Sequence, residues 1–384
     1  MTTPEVIDAP LSSTESTMRA AVIKAVGAPF VIEQIARPVV HPDDVLVEVR
    51  ACGLVPNFET ILSENLPPVL TRPAFPAVYG LDTAGVIVGK GARVHGVEIG
   101  DRVYVNPMRG CGNCRYCRVG QKEGCDYFAL NGYLGSGIKS VELMADHPLG
   151  GFTECITAPP SSLVHLPDSV SFEAAARWGY MGTGYAALRR ANVGHGTTLL
   201  VNGASGTLGL GTVLFALALG VSKILGVGRK SELLERVRAL DPERIHVHSS
   251  ETEGSVAEWA QSLTDGAGPD VVIDTLPTGA PVEAFLDSFA ALGRCGTLVN
   301  VGGVIDDVPI NVFSLFNKGQ SILGSYWFTT EQGQEMADLA GAGLVQLDTF
   351  DHHIFDIADI SSALATAARH PGGFTNVVVC PSIT

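Results

Sequence analysis

The feature that most constrains the fold is the run LLVNGASGTLGLG, in which an apolar stretch enters a glycine-rich turn and leaves as a helix. Gly203, Gly206 and Gly209 fall directly after a buried strand pattern and at the opening of a helical one. There, backbone N–H groups and the positive helix end face a bound phosphate. A glycine-rich tight turn with no ligand is the alternative, since the spacing departs from plain G-x-G-x-x-G through Ala204 and Ser205. Further apolar runs, KILGVG, VVIDTL and GTLVNVGG, alternate with the helical stretches GLGTVLFALALG, ELLERVRAL and PVEAFLDSFAAL. Strand–helix alternation of this kind predicts an α/β unit with a doubly wound parallel sheet and right-handed crossovers.

The chain upstream follows a different grammar. From Met18 to about Pro167, short runs such as AAVIKAV, VLVEVRACG, AGVIVGKG, DRVYV, FTECITAP and SLVHLP are broken by Gly and Pro. This predicts an antiparallel barrel or sandwich. SVSFEAAARWGYMGTGYAALRRA then reads as helices, opened by capping residues and Glu173. From about Tyr326, a helical DIADISSALATAAR and a last strand, TNVVVC, are expected to return to the first unit. The expected division is thus residues 1–17 as a frayed extension, 18–167 with 326–384 as one domain, and 168–325 as the nucleotide-binding domain.

Of 384 residues, 46% are hydrophobic and 17% charged, enough for a substantial core. The net charge of −15 disfavours nucleic acid and anionic lipid as partners. No apolar run reaches the roughly 18 residues of a membrane span. The first seventeen residues carry acids and lack an apolar core, so they do not read as a signal peptide, and a cytoplasmic location is expected.

About twenty residues after the glycine turn, dinucleotide-binding units that take NAD offer an acid to the ribose hydroxyls. Here Gly228 stands there, followed by Arg229, Lys230 and Ser231. A small residue followed by two cations accommodates a 2′-phosphate, which points to NADP(H). The alternative is that both cations merely solvate a helix start. With Gly228, Arg229 and Lys230, the expected cofactor contacts from the turn are Ser205, Gly206, Thr207 and Leu208.

Cys111, Cys114, Cys117 and Cys125 are spaced C-x2-C-x2-C-x7-C. Four thiolates complete a tetrahedral zinc shell and leave no open position, so the site is structural, one zinc per chain. Iron–sulfur ligation and free thiols are the alternatives.

Together, ACGLVPNFET, PAVYGLDTAGVIVGKG, the cysteine lobe, MGTGYAAL, the glycine turn and GTLVNVGG followed by SILGSYWF resemble the medium-chain dehydrogenase/reductase superfamily, the zinc-containing alcohol dehydrogenases and their quinone oxidoreductase relatives. The resemblance implies a GroES-like antiparallel barrel with a Rossmann domain inserted, and a homodimer or homotetramer formed through the Rossmann sheets. It adds Thr183, Val301 and Ser325 to the expected cofactor contacts. It also implies three catalytic zinc ligands, whose places are taken here by Val55, Leu81 and Gly179. Three apolar or side-chain-free replacements leave nothing to hold that cation, so no catalytic zinc is expected.

The same resemblance puts Asn57, Glu59 and Tyr180 at the cleft as catalytic candidates, and Phe58, Leu81, Trp178 and Trp327 in the substrate pocket. Asn57 as a turn cap and Tyr180 as a packed aromatic are the structural alternatives. Asp82 reads as an acceptor for backbone or Arg groups, and His352-His353 as surface. Without a Lewis acid, hydride addition to an activated alkene remains feasible because charge spreads over an enolate. The leading expectation is therefore an NADPH-dependent reductase of an enone, enal or quinone with a small, hydrophobic substrate. An NADP-dependent alcohol dehydrogenase or carbonyl reductase using side-chain donors, and a non-catalytic nucleotide-binding protein, are the alternatives.

Overall fold

The computed structural model describes residues 17–56, 58–369 and 372–381; Asn57 and most of the expected N-terminal extension lie outside them. The first half is built from short strands: β1 (Thr17–Ile23), β2 (Val31–Ala36), β3 (Val45–Gly53), β4 (Ala77–Val78), β5 (Asp82–Lys90) and β6 (Arg102–Val105). They continue through β7 (Met108–Arg109), β8 (Ala129–Leu130), β9 (Leu134–Gly135), β10 (Cys155–Ala158) and β11 (Leu163–His165). Helices α1 (Phe58–Leu62) and α2 (Ser140–Met144) interrupt them. Each strand expected from the apolar runs forms, because these alternating residues have one face to bury.

Helical structure begins where expected, with α3 (Phe172–Ala175) capped by the Ser171 hydroxyl and α4 (Trp178–Arg190) following directly. The parallel unit then runs β12 (Thr198–Asn202), α5 (Thr207–Ala218), β13 (Lys223–Gly228), α6 (Ser231–Ala239), β14 (Ile245–Ser249) and α7 (Val256–Ser262). It continues through β15 (Val271–Asp274), α8 (Val282–Ala291), β16 (Thr297–Asn300), α9 (Val312–Lys318) and β17 (Ser321–Gly324). The chain closes with α10 (Thr330–Gly341), β18 (Asp351–Asp356), α11 (Ile360–Ala367) and β19 (Thr375–Cys380).

Among the described residues, the parallel sheet has the order β14-β13-β12-β15-β16-β17. The order reverses beside β12, which places a crevice at the carboxyl ends of the strands there. The other large sheet, antiparallel except for the parallel pair β18 and β19, runs β11-β6-β5-β3-β19-β18 with β10 also on β3, so the last strand does rejoin the first unit through Val378↔Gly53 and Val379↔Cys52. One buried cluster fills the barrel around Val47, Ile87, Phe58 and Tyr79. A second joins both units, packing Tyr104 and Val164 with Trp178, Met181, Leu210 and Phe215. This shared core fixes the cleft between the units.

The candidate active site and metal centre

Gly206 is the N-cap of α5 in an extended conformation and Gly203 has φ +87°, a left-handed geometry that disfavours a side chain. A Cβ on Gly203 would meet Thr275 Oγ1 at 2.8 Å, and one on Gly209 would lie 2.1 Å from the Gly203 carbonyl oxygen. The turn is therefore a bare-backbone cradle at a helix N-terminus, the geometry that receives a pyrophosphate. Gly228 ends β13 and leaves only 3.0 Å between an added Cβ and Ser205 Oγ. Arg229 and Lys230 are exposed at the start of α6, with no ion pair to a described residue. Val301 and Ser325 follow β16 and β17, and their N–H groups bond to Asp274 and Asn300 carbonyls. Apart from Thr183, which lies in the second turn of α4, the expected cofactor contacts lie at the carboxyl ends of the parallel strands or on the first turns of α5 and α6.

A cavity of about 230 Å³ opens between the two units, lined by Val55, Ile61, Leu70, Leu81, Leu130, Tyr133, Leu134, Tyr180, Thr183, Leu208, Tyr326 and Trp327. Of the expected pocket residues, Leu81 and Trp327 line it, as do Tyr180 and Thr183. Trp178 does not: it is 0% exposed, and its indole N–H donates to the Gly333 carbonyl in the shared core. Phe58 also differs from expectation. It lies behind the cleft in an aromatic group with Phe30, Tyr79, Tyr133 and Phe152. Its neighbour Glu59 points into solvent from α1, away from the cavity wall, because the short helix turns its apolar face inward with Phe58 and Ile61. Sequence reasoning missed Tyr133 and Tyr326 as cleft residues, although Tyr326 stands beside Trp327 in the quoted SYWF.

The three positions that the resemblance assigns to catalytic zinc ligands, Val55, Leu81 and Gly179, carry hydrocarbon or no side chain. Val55 and Leu81 present apolar surface to the cavity. At Gly179, a Cβ would lie 2.1 to 2.6 Å from the three carboxyl atoms of Asp82, so the Asp82 carboxylate fills the space a third ligand would need. Asp82 is 1% exposed and accepts a 2.7 Å hydrogen bond from the Tyr104 hydroxyl, with the Gly179 N–H and the Arg177 guanidinium nearby. Burial raises its pKa to about 7, and those three partners offset part of the cost.

A carboxyl raised in the fold binds its proton more tightly there than in the unfolded chain, whose value is about 3.9. Its contribution to stability therefore falls as pH rises from about 4 to 7 and stays low above that. Asp82→Asn, which keeps the acceptor oxygen without the charge, should gain melting temperature relative to the unsubstituted protein between pH 5 and pH 8. Paired thermal scans at the two pH values check this, and a difference that is flat or reversed contradicts it.

The four lobe sulfurs all lie within 4.8 Å of one another. Tetrahedral metal–sulfur bonds of about 2.3 Å require sulfurs roughly 3.8 Å apart, so the set suits one zinc ion with small adjustment. Backbone N–H groups of Cys111 and Tyr127 donate to Cys125 Sγ, that of Cys114 to Cys111 Sγ, and that of Cys117 to Cys114 Sγ, each at 3.4 Å. Such amide donors favour thiolates. Among the described residues, no other group of three or more His, Cys, Asp or Glu converges in this way. His352 and His353 lie exposed on β18, where His352 Nδ1 is 3.0 Å from Asn376 Nδ2.

Comparison with known families agrees with this architecture. Residues 41–168 match the alcohol dehydrogenase GroES-like domain and residues 207–342 match the zinc-binding dehydrogenase family. An alcohol dehydrogenase of Geobacillus stearothermophilus is 28% identical over 331 residues, covering 86% of this chain and 90% of that one. An NDMA-dependent alcohol dehydrogenase of Amycolatopsis methanolica is 31% identical over 294 residues, 74% of this chain and 76% of the other. Among solved structures, a proposed zinc-binding dehydrogenase of Sinorhizobium meliloti 1021, bound to NADP, superposes with a TM-score of 0.80 at 22% identity, covering 96% and 100% of the two chains. The chain belongs to the medium-chain dehydrogenase/reductase superfamily, in its zinc-type alcohol dehydrogenase-like branch, and is an oxidoreductase of the alcohol dehydrogenase type.

Proposed function

We propose that this chain is an NADPH-dependent reductase of an activated C=C bond, in an enone or enal, or of a quinone, working without a catalytic zinc. The observation that carries the reading is the cleft itself: Val55 and Leu81 offer it hydrocarbon, and the Asp82 carboxylate occupies the space beside Gly179. When bound, the nicotinamide supplies a hydride. The apolar walls orient a small uncharged substrate and exclude water, which strengthens every remaining polar contact. The Tyr180 hydroxyl donates toward the substrate oxygen as negative charge develops, and Asn57 adds a second donor. Screening NADPH oxidation against enones, enals and quinones beside their saturated ketone partners tests this. Turnover confined to the conjugated or quinoid compounds is expected, and turnover confined to saturated ketones contradicts it. The alcohol dehydrogenase relatives favour that second reading, an NADP-dependent alcohol dehydrogenase or carbonyl reductase using side-chain donors.

NADPH is favoured by the small Gly228 and the two exposed cations after it, Arg229 and Lys230. Arg229→Ala should raise the dissociation constant for NADPH about tenfold, by removing one charge-assisted contact, while leaving NADH nearly unchanged. Titration of nucleotide fluorescence checks both, and equal losses for the two nucleotides contradict the assignment. The four-cysteine lobe takes one structural zinc in this reading.

A second copy of the chain is proposed to dock on β17. That strand forms an edge of the parallel sheet, and Ile305, Val312, Phe313 and Phe316 nearby are each 74% or more exposed. A homodimer, or a homotetramer built from it, would cover them. A cytoplasmic location is proposed with it, since a four-thiol metal lobe suits a reducing compartment. Among the described residues, no helix is long and apolar enough to cross a membrane.

A further inference from the structure

Directly behind Tyr180 lies a buried cation that none of the family motifs accounts for. Arg177, the residue preceding α4, is 3% exposed, and its guanidinium carbon lies 5.6 Å from the centroid of the Tyr180 ring one helical turn away. Its position is fixed from the other side. Arg177 Nη2 donates to the Gly373 carbonyl at 3.0 Å, and the Gly373 N–H in turn donates to the Ser205 carbonyl of the glycine turn at 2.8 Å. Phe350 covers the guanidinium, with its ring centroid at 5.7 Å. A guanidinium is the cation best suited to such a place, since it is weakly hydrated and stacks on aromatic faces.

We propose that Arg177 is a positioning residue acting through Tyr180: its buried charge holds the phenol as the cleft's proton donor and stabilises the phenolate left behind. This rests on the reading of Tyr180 as that donor. In the step it serves, hydride from C4 of NADPH forms a C–H bond at the β-carbon of the conjugated carbonyl, and the alkene electron pair shifts to give an enolate. The Tyr180 O–H bond breaks, its proton neutralises the enolate, and solvent later returns a proton to the phenolate. NADPH is oxidised to NADP and the alkene is reduced. A buried cation beside the phenol lowers the cost of the charge that appears on it, the service a metal performs in zinc-dependent relatives.

The electrostatics around Tyr180 fit this arrangement. Burial pushes its phenol well up from the usual range, and Arg177 acts in the opposite direction. Asp82, on β5, also faces the phenol and opposes Arg177, while Tyr133 approaches from the β8–β9 connection. Desolvation brings Arg177 down to about 10, partly offset by Tyr180 and Asp82, so the guanidinium stays charged at neutral pH. The pair Asp82 and Tyr104 thus shares a single buried polar pocket with the cation.

The test uses the full chain made with 2,3,5-trifluorotyrosine at its 8 tyrosines, whose phenols ionise several pH units lower, which brings Tyr180 into reach and gives each ring its own fluorine resonances. Tyr180→Phe identifies the Tyr180 signal. Arg177→Met should move the ionisation midpoint of Tyr180 up by about one pH unit or more, whereas Arg177→Lys, which retains the charge, should move it by less than half as much. If Arg177→Met leaves the midpoint in place, or if Lys and Met shift it equally, the proposal is overturned. Should Arg177→Met not fold, the Lys variant decides alone: a midpoint moved as far as about one pH unit despite the retained charge overturns it. These readings need no substrate, so they separate failure of this inference from failure of the proposed reaction. On an active enone, Arg177→Met should lower kcat about tenfold with little change in KM and enlarge the solvent isotope effect. A purely structural Arg177 would leave that isotope effect unchanged.

Discussion

Replacing Gly209 with Val is expected to abolish measurable NADPH binding and to lower thermal stability together. A side chain there would begin 2.1 Å from the Gly203 carbonyl oxygen, 2.7 Å from its carbon and 2.8 Å from Ala204 Cα. These are backbone atoms of the very turn proposed to cradle the nucleotide, so no rotamer change relieves the clash. Helix α5 would have to lift from β12, disrupting its packing against α4 in the shared core through Leu210, Val213 and Phe215. Affinity for NADPH should fall by roughly a hundredfold or more. Gly194→Ala is the control, since its nearest neighbour is 4.0 Å away, and it should alter neither property. Isothermal titration and thermal unfolding report both quantities; a Gly209→Val protein that still binds NADPH normally removes the glycine turn from the nucleotide site.

The second large effect concerns the cysteine lobe. Between Cys111 and Cys125 the chain buries only Cys125 well, and its regular structure amounts to two single turns of 3-10 helix. With so little apolar surface withdrawn from water, the lobe has few ways to stay ordered except through its sulfur ligands. Purified protein should contain one zinc per chain. Cys114→Ser should lose most of that zinc and open the lobe to trypsin at Arg115, Arg118 and Lys122, with cleavage accelerated by about tenfold or more. Elemental analysis with timed digestion is the measurement. Two equivalents of zinc in the unsubstituted protein, or unchanged digestion of the variant, would contradict the assignment.

Legibility in the sequence followed burial. Strands with a clean apolar face, such as VLVEVRACG and TLLVN, were readable, and so were the glycine turn and the cysteine spacing, because their chemistry is local. Strand β18, DHHIFD, was not. It is a largely exposed edge that exists through parallel pairing with β19, so its histidines read as surface with no sign of a strand. Strand β14, IHVHS, was hidden for another reason: its residues are buried or half-buried, but the two histidines interrupt the apolar run. At the cleft, the motif placed Phe58 and Trp178 by sequence neighbourhood, yet the face each helix turns inward is set by partners far away in the chain, such as Tyr79 and Gly333. Tyr133 and Tyr326 reach the cavity only after distant segments are brought together.

In the proposed reaction, hydride goes to carbon conjugated with a carbonyl in a cleft where Val55 and Leu81 stand at the places the resemblance gives to metal ligands. Incubating the zinc-quantified protein with an α,β-unsaturated ketone and NADPH deuterated at C4, then locating the label by NMR and mass spectrometry, tests this most directly. The expected product is the saturated ketone with deuterium on its β-carbon, from protein holding one zinc per chain. An allylic alcohol with deuterium on the carbinol carbon, from protein holding two, would contradict it.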